Sequence, residues 1–224
     1  MKKFMDEGRT AHPEEPWLWV ADWAARRVQP VEKPRSIIGF WVIAALVFGI
    51  IPLFPRSIQG EPFWPLGVFL WGLSLMDGFA GVAALILAVR KTLAWRRYGR
   101  VWLELETMPG ILGGRFIAVL RTMEGFPSNA RGFLLLTCTA RGSTQTQRSY
   151  FRTLWQGSAE ISAENGAIPV AFNPPSDMPE SVPDIRDAEP WITWDLQVTV
   201  KSHGAPLTAQ FRVPIFRARK GLEK

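Results

Sequence analysis

The chain has only one cysteine and two histidines in 224 residues. A single cysteine cannot close an intramolecular bridge, so a disulfide scaffold is excluded. One Cys and two His do not make the four-ligand set of a structural zinc site, and no HExxH pair or GxxxxGK[ST] loop occurs. No metal, cofactor or catalytic site is therefore expected. Charge of one sign is also scarce outside one stretch. The net charge is +6, yet residues 1–36 carry 7 Lys+Arg against 6 Asp+Glu and residues 101–224 carry 13 against 12. Residues 37–100 hold 6 against 2, so the basic excess flanks the apolar runs. That placement points to membrane topology before phosphate binding, and no nucleic-acid partner is expected. With 47% apolar and 21% charged residues, collagen-like and disordered classes are excluded as well.

Long apolar runs are what the chain does have. Residues 37–54 read IIGFWVIAALVFGIIPLF, 18 residues without a charge. At 1.5 Å per residue that is roughly 27 Å of helix, close to the ~30 Å hydrocarbon core of a bilayer. Residues 63–89 form a second run whose only charge is Asp77. Buried core helices are the alternative, but two such runs in succession weaken it. The connection at 55–62, PRSIQGEP, is short enough to force an antiparallel hairpin with both flanks on one side. Arg26, Arg27, Lys33 and Arg35 precede the first run, and Arg90, Lys91, Arg96, Arg97 and Arg100 follow the second, whereas the tip carries only Arg56. The positive-inside rule then puts both termini in the cytoplasm and the hairpin in the plasma (inner) membrane, with lipid as a partner. Trp41, Trp64 and Trp95 near the span ends suit the interface. No cleavable signal peptide is expected, since the first apolar run starts late and is too long for one.

The arm at 1–36 divides in two. Met1 to Glu15 is polar and reads as unstructured. Pro16 to Arg27, PWLWVADWAARR, places Trp19, Trp23 and Arg27 four apart on one helical face, with Trp17 beside them. Two positions remain open for these tryptophans: the headgroup interface, with Trp17, Trp19, Trp23, Arg96 and Arg97 as anchors, or the protein's own C-terminal domain.

After the basic segment 90–100 the period falls to two. Val101, Leu103 and Leu105 alternate with Trp102, Glu104 and Glu106, and strands follow at 115–122, 133–141, 148–156 and 167–172. In Trp191 to Lys201, Ile192, Trp194, Leu196, Val198 and Val200 face one way, and Thr193, Asp195, Gln197 and Thr199 face the other. Phe211, Val213 and Ile215 close the fold. About seven short strands in residues 101–224 predict an antiparallel β-sandwich, so the fold class is a membrane α-helical hairpin plus an all-β domain. Residues 173–190, NPPSDMPESVPDIRDAEP, read as a long exposed loop, either a mobile connection or a docking site.

The arm PWLWVADWAARR, the two apolar runs, the turn region LELETMPGILGGRF and the late WITWDL and FRVPIF strands together resemble a group of uncharacterised bacterial inner-membrane proteins. The C-terminal part is also similar in topology to arrestin-type or immunoglobulin-like sandwiches. The resemblance implies an inner-membrane location and carries no catalytic residues.

Individual residues offer little chemistry. Asp77 stands mid-run, where ionisation costs on the order of 2.5–3.5 kcal/mol. It reads as a polar packing contact beside the small pair Ser74 and Gly78, or as an ion-linked site in an oligomeric transport or channel subunit. Cys138, with Leu134, Leu136 and Ala140 on its face, reads as an inert core thiol. His12 and His203 show no partner in the sequence. Gly110, Gly113 and Gly114 lie between strands and read as turn residues. The function expected is a non-enzymatic, membrane-tethered interaction or scaffold module, acting through the sandwich on a protein partner or on a second copy of itself.

Overall fold

The computed structural model describes residues 2–31, 38, 39, 41, 42, 45, 79, 81–93, 96, 98–143, 149–183, 190–201 and 206–218. The chain divides into two compact units, one made of Met1–Val31 with Tyr98–Lys224 and the other of Glu32–Arg97.

The first unit is mostly β. Seven strands carry it: β2 (Val101–Leu105), β4 (Phe116–Thr122), β5 (Arg131–Ser143), β6 (Ser149–Ser162), β7 (Ile168–Phe172), β8 (Trp191–Lys201) and β9 (Leu207–Arg212). Three two-residue strands join them: β1 (Arg27–Val28), β3 (Gly110–Ile111) and β10 (Ile215–Phe216). One sheet has the order β1-β2-β4-β7 and a second β6-β5-β8-β9. All pairings in both are antiparallel, and the short β3–β10 ribbon is the parallel exception. The alternation seen in the sequence is the alternation of burial. Leu103, Leu105, Phe116, Ala118, Leu120, Ile168 and Val170 are buried from the first sheet. Leu134, Leu136, Cys138, Trp194, Leu196, Val198 and Phe211 are buried from the second. Two half-apolar sheets can satisfy both patterns only by facing each other, which makes a β-sandwich.

Gly132 on β5 sits where its partner strand comes close. A Cβ there would lie 2.7 Å from the Thr199 carbonyl oxygen, nearer than a side chain tolerates. Gly113, at φ +78, turns the chain after β3 and donates its N–H to the Pro174 carbonyl at 2.8 Å.

The arm departs from the sequence reading in two ways. Residues 2–11 are helical, α1 (Lys2–Ala11), where a polar, unstructured segment is expected. Residues 16–27 are not one helix. A 3₁₀ turn, Pro16–Trp19, and a short α2, Ala21–Ala24, are separated by extended Val20 at φ −101, ψ 120. The four-residue spacing of Trp19, Trp23 and Arg27 therefore does not give a shared face. The 173–190 connection is also less free than expected over its first half. Ser181 is buried, its hydroxyl donates to the Val213 carbonyl at 3.1 Å, and it accepts from the Ile215 N–H at 3.0 Å. Ser181 thus holds the segment to the strands it crosses.

In the second unit, residues 38, 39, 41, 42, 45, 79, 81–93 and 96 are helical among those described. Trp41 Nε1 donates to Thr92 Oγ1 at 3.1 Å, and that hydroxyl donates in turn to the Ala88 carbonyl at 2.7 Å. Most of the runs at 37–54 and 63–89 lies outside the described residues. Among those described, no helix is long and apolar enough to cross a membrane.

Candidate functional site

Two polar arrangements stand out on the sandwich, one on each outer face. On the second sheet, residues of β8 that alternation assigns to solvent are partly enclosed. Thr193 and Asp195 are buried, as is Thr139 opposite Thr193 on β5. Thr193 donates its hydroxyl to Asp195 Oδ2 at 3.1 Å. Because that uses the only proton Thr193 has, Thr139 must be the donor in the 2.8 Å contact between the two hydroxyls. Asp195 pairs in register with Arg212 on β9, and Arg212 Nε lies 3.7 Å from Asp195 Oδ1. Neither of those two atoms has a hydrogen-bond partner. This is an ion pair held by charge, just beyond hydrogen-bond reach.

An arginine–aromatic row runs beside that pair. Arg212 lies over the Trp191 ring at 4.7 Å, and the Trp191 indole is fixed by its N–H bond to the Val182 carbonyl at 3.0 Å. Trp191 faces Arg141 across the β5–β8 ladder. Arg141 in turn faces Phe151 across β5–β6 and lies over its ring at 4.9 Å. Cation and ring alternate across four strands: Phe151, Arg141, Trp191, Arg212. Phe151 is 61% exposed and Arg141 is exposed. Arginine and aromatic side chains of this kind dominate the energetics of protein contacts.

On the first sheet, Glu104 joins two strands. The Trp102 indole donates to Glu104 Oε1 at 2.9 Å, Arg121 Nε donates to Oε2 at 2.7 Å, and Arg27 covers the Trp102 ring at 4.1 Å. The Trp102 bond, above all, holds the Glu104 carboxyl below its usual pKa; slight burial opposes it and Arg121 adds to it. This cluster braces β1, β2 and β4 from outside.

Neither arrangement resembles a reaction centre. The Thr193 hydroxyl donates to a carboxylate, a base too weak to make a nucleophile of it, and it is enclosed. Cys138 is fully buried and burial pushes its thiol up to about 12, so it is not a thiolate at neutral pH. His12 Nδ1 lies 3.4 Å from Glu15 Oε2, a pairing of neighbours in the arm that was not visible in the sequence. Among the described residues no group of three or more His, Cys, Asp or Glu side chains converges.

The sequence-predicted residues fall in different places. Trp17 and Trp23 are buried inside the first unit. Trp17 meets Phe216 edge-on at 5.4 Å, Trp23 meets it at 6.3 Å, and the Trp23 indole donates to the Arg212 carbonyl at 2.9 Å. Of the two positions open for them, these side chains take the protein's own domain. Trp19 ties the arm to itself, with its N–H on the His12 carbonyl at 2.8 Å and Arg9 over its ring at 5.0 Å. Arg96 is helical and exposed. Asp77, Ser74, Gly78 and Arg97 lie outside the described residues. Sequence reasoning missed the Asp195–Arg212 pair and the row beside it. The available signal was an aspartate in the middle of a strand of strong β-formers, where that residue is unfavourable without a partner.

No family model matches the chain, and no curated protein matches it. Among solved structures it is similar to Spo0M, the sporulation control protein of Bacillus subtilis, at 16% identity and a TM-score of 0.33, over 53% of this chain and 49% of that one. The chain spans about half the length of that protein, and a likeness at this score assigns neither fold nor function.

Proposed function

We propose that the chain is an integral inner-membrane protein, anchored by a helical hairpin over 37–54 and 63–89. The arm and the sandwich lie together on the cytoplasmic side, where they act as a non-enzymatic interaction module. One observation carries the membrane part. The helical residues 81–93 are inside-out: Ala88 is fully buried and Ala84 nearly so, while Val82, Ile86, Leu87, Val89 and Leu93 are 40–52% exposed. A helix in water buries its large apolar side chains and shows the small ones. The reverse arrangement suits lipid, where small faces let helices approach and large side chains meet acyl chains.

Two features support the topology. Strands β1 and β2 are antiparallel, with Val28 opposite Leu103. The chain therefore leaves the first unit just after β1 and re-enters just before β2 at the same end of the same sheet. An excursion that starts and finishes there crosses a bilayer an even number of times. The Trp41–Thr92 hydrogen bond supports a paired, antiparallel arrangement of the two runs. The interaction role is supported by the Phe151–Arg141–Trp191–Arg212 row, whose chemistry suits a protein partner presenting carboxylates.

The test is fractionation of the full-length chain. It should sediment with membranes, resist extraction by alkaline carbonate and dissolve in mild detergent. Release by carbonate as a monodisperse species would refute the anchor. Arg141→Glu combined with Phe151→Ala should abolish partner binding without changing the melting temperature, and retained binding would refute the role given to the row.

A further inference from the structure

Three of the four edges of the two large sheets are blunted, and the fourth is not. β1 has only two residues. β7 carries Pro169, whose missing N–H faces away from β4. β9 gives its Gln210 carbonyl to the Val31 N–H and its Arg212 carbonyl to the Trp23 indole. β6 runs for 14 residues with β5 as its ladder partner and a bare outer edge. The Ala163 N–H donates to the Ala130 carbonyl at 2.9 Å, one step past the Arg131–Ser162 pair. Antiparallel ladders alternate, so Trp155, Gly157, Ala159 and Ile161 bond β5, while Gln156, Ser158, Glu160 and Ser162 turn their N–H and C=O groups outward. Among the described residues, no hydrogen bond reaches those outward groups. The inner side chains are equally unfinished. Trp155, Gly157 and Ala159 stand opposite Cys138, Leu136 and Leu134, which are fully buried, yet are only half-buried themselves.

We propose that this edge pairs with β6 of a second copy, antiparallel about a two-fold axis at Ser158, to make one continuous sheet. Only a strand supplies N–H and C=O groups at the spacing the edge presents. The strand is complementary to itself in one register. An axis at Glu160 would oppose two carboxylates. An axis at Ala159 would need Ser162, where the chain turns away into the Glu164–Ala167 bridge. An axis at Gly157 would set Glu160 against Leu154, the extra residue of the bulge in β6. With the axis at Ser158, Gln156 faces Glu160 of the second copy, an amide donor against a carboxylate. Both are exposed, and Glu160 makes no ion pair among the described residues, although Arg131 lies on the same outer face opposite Ser162. On the inner face Gly157 meets Ala159 of the second copy. The Trp155 ring already fills the space a Gly157 side chain would take, so only a small partner fits there. Trp155 then stands against Ile161 of the second copy, an aromatic–β-branched pair. Phe151 lies on the other side of the bulge, so the cation–ring row stays free.

The test uses the full chain in mild-detergent micelles. Light scattering over a range of protein concentrations should show a monomer–dimer equilibrium. In the dimer the amides of Gln156, Ser158 and Glu160 should exchange slowly. On dilution to the monomer they should become fast, while Gly157 and Ala159 stay protected by β5. Gln156→Glu sets a like-charge pair on each side of the axis and should raise the dimer Kd about tenfold with unchanged melting of the monomer; adding Glu160→Lys should restore it. A chain that stays monomeric throughout, or a dimer whose 156, 158 and 160 amides are unprotected, would overturn the proposal. So would a Kd indifferent to Gln156→Glu, or one that Glu160→Lys does not restore. None of these outcomes touches the role given to Arg141 and Phe151, which neither variant alters.

Discussion

Replacing Trp23 tests how the arm is fastened to the sandwich. The side chain is 2% exposed, meets Phe216 edge-on and donates its indole N–H to the Arg212 carbonyl at 2.9 Å. Trp23→Ala removes the whole ring from a packed site, which costs about 3–5 kcal/mol. Trp23→Phe keeps most of the buried area and strips the donor, leaving the Arg212 carbonyl unpaired at a cost of about 1–3 kcal/mol. The arm is peripheral, so the cost should appear as local opening. Its backbone ties are few: the Leu105 N–H on the Arg26 carbonyl, the Val31 N–H on the Gln210 carbonyl and the two β1–β2 pairs. Amide exchange on the detergent-solubilised chain reads this directly. In Trp23→Ala, protection at Leu105 and Val31 should fall by about two to three and a half orders of magnitude, at about 1.4 kcal/mol per tenfold. Amides of β5 and β8 should keep theirs, and Trp23→Phe should be intermediate. A uniform loss across both sheets would show that the arm is not a separable latch. A loss below about threefold would show that Trp23 does not hold it, because such a change is far smaller than ring burial requires.

Three further outcomes follow from the same contacts. Arg212→Met leaves Asp195 enclosed without its cation and should cost about 3 kcal/mol in chemical unfolding; adding Asp195→Asn should recover a large part of it, and an additive double variant would contradict the pairing. The Glu104 carboxyl is depressed in the folded state, so its stabilising contribution is complete above the unfolded value near 4.5 and is lost as pH falls through the lower folded value. Glu104→Gln should therefore flatten the acid limb of the stability–pH curve by less than about 1 kcal/mol, because the group is largely in solvent, and an unchanged limb would count against the Trp102 and Arg121 bonds. Cys138, buried and with its thiol raised to about 12, should stay silent to Ellman's reagent in the native protein and react fully in denaturant; stoichiometric reaction without denaturant would refute its place in the core.

The β domain was legible because its alternation is local. In β8 each inward residue is followed by a polar one, and the expected bounds, 191 and 201, are those observed. β6 was read too short. It runs on through Gly157 and Ser158 to Ser162, residues with weak strand preference that the long β5 ladder carries along. The polar helix α1 was invisible to an argument from apolar periodicity. The arm tryptophans were read on a continuous helix that Val20 interrupts, and no local pattern announces that Phe216, nearly two hundred residues later, receives them. The enclosure of Thr193 and Asp195 escaped for the same reason. Period two assigns a face, but whether that face is covered depends on neighbours such as Trp191 and Arg212, which only the folded register brings alongside.

The anchored, two-crossing topology is tested most directly by thiol labelling in intact cells. With Cys138 replaced by Ser, a lone cysteine can be placed at Gln59, in the short connection between the apolar runs, or at Ser158, exposed on β6. With a membrane-impermeant maleimide, Gln59→Cys should label in intact cells and Ser158→Cys only after permeabilisation. Labelling of Ser158→Cys from outside, or silence of Gln59→Cys until the cells are opened, would contradict the account.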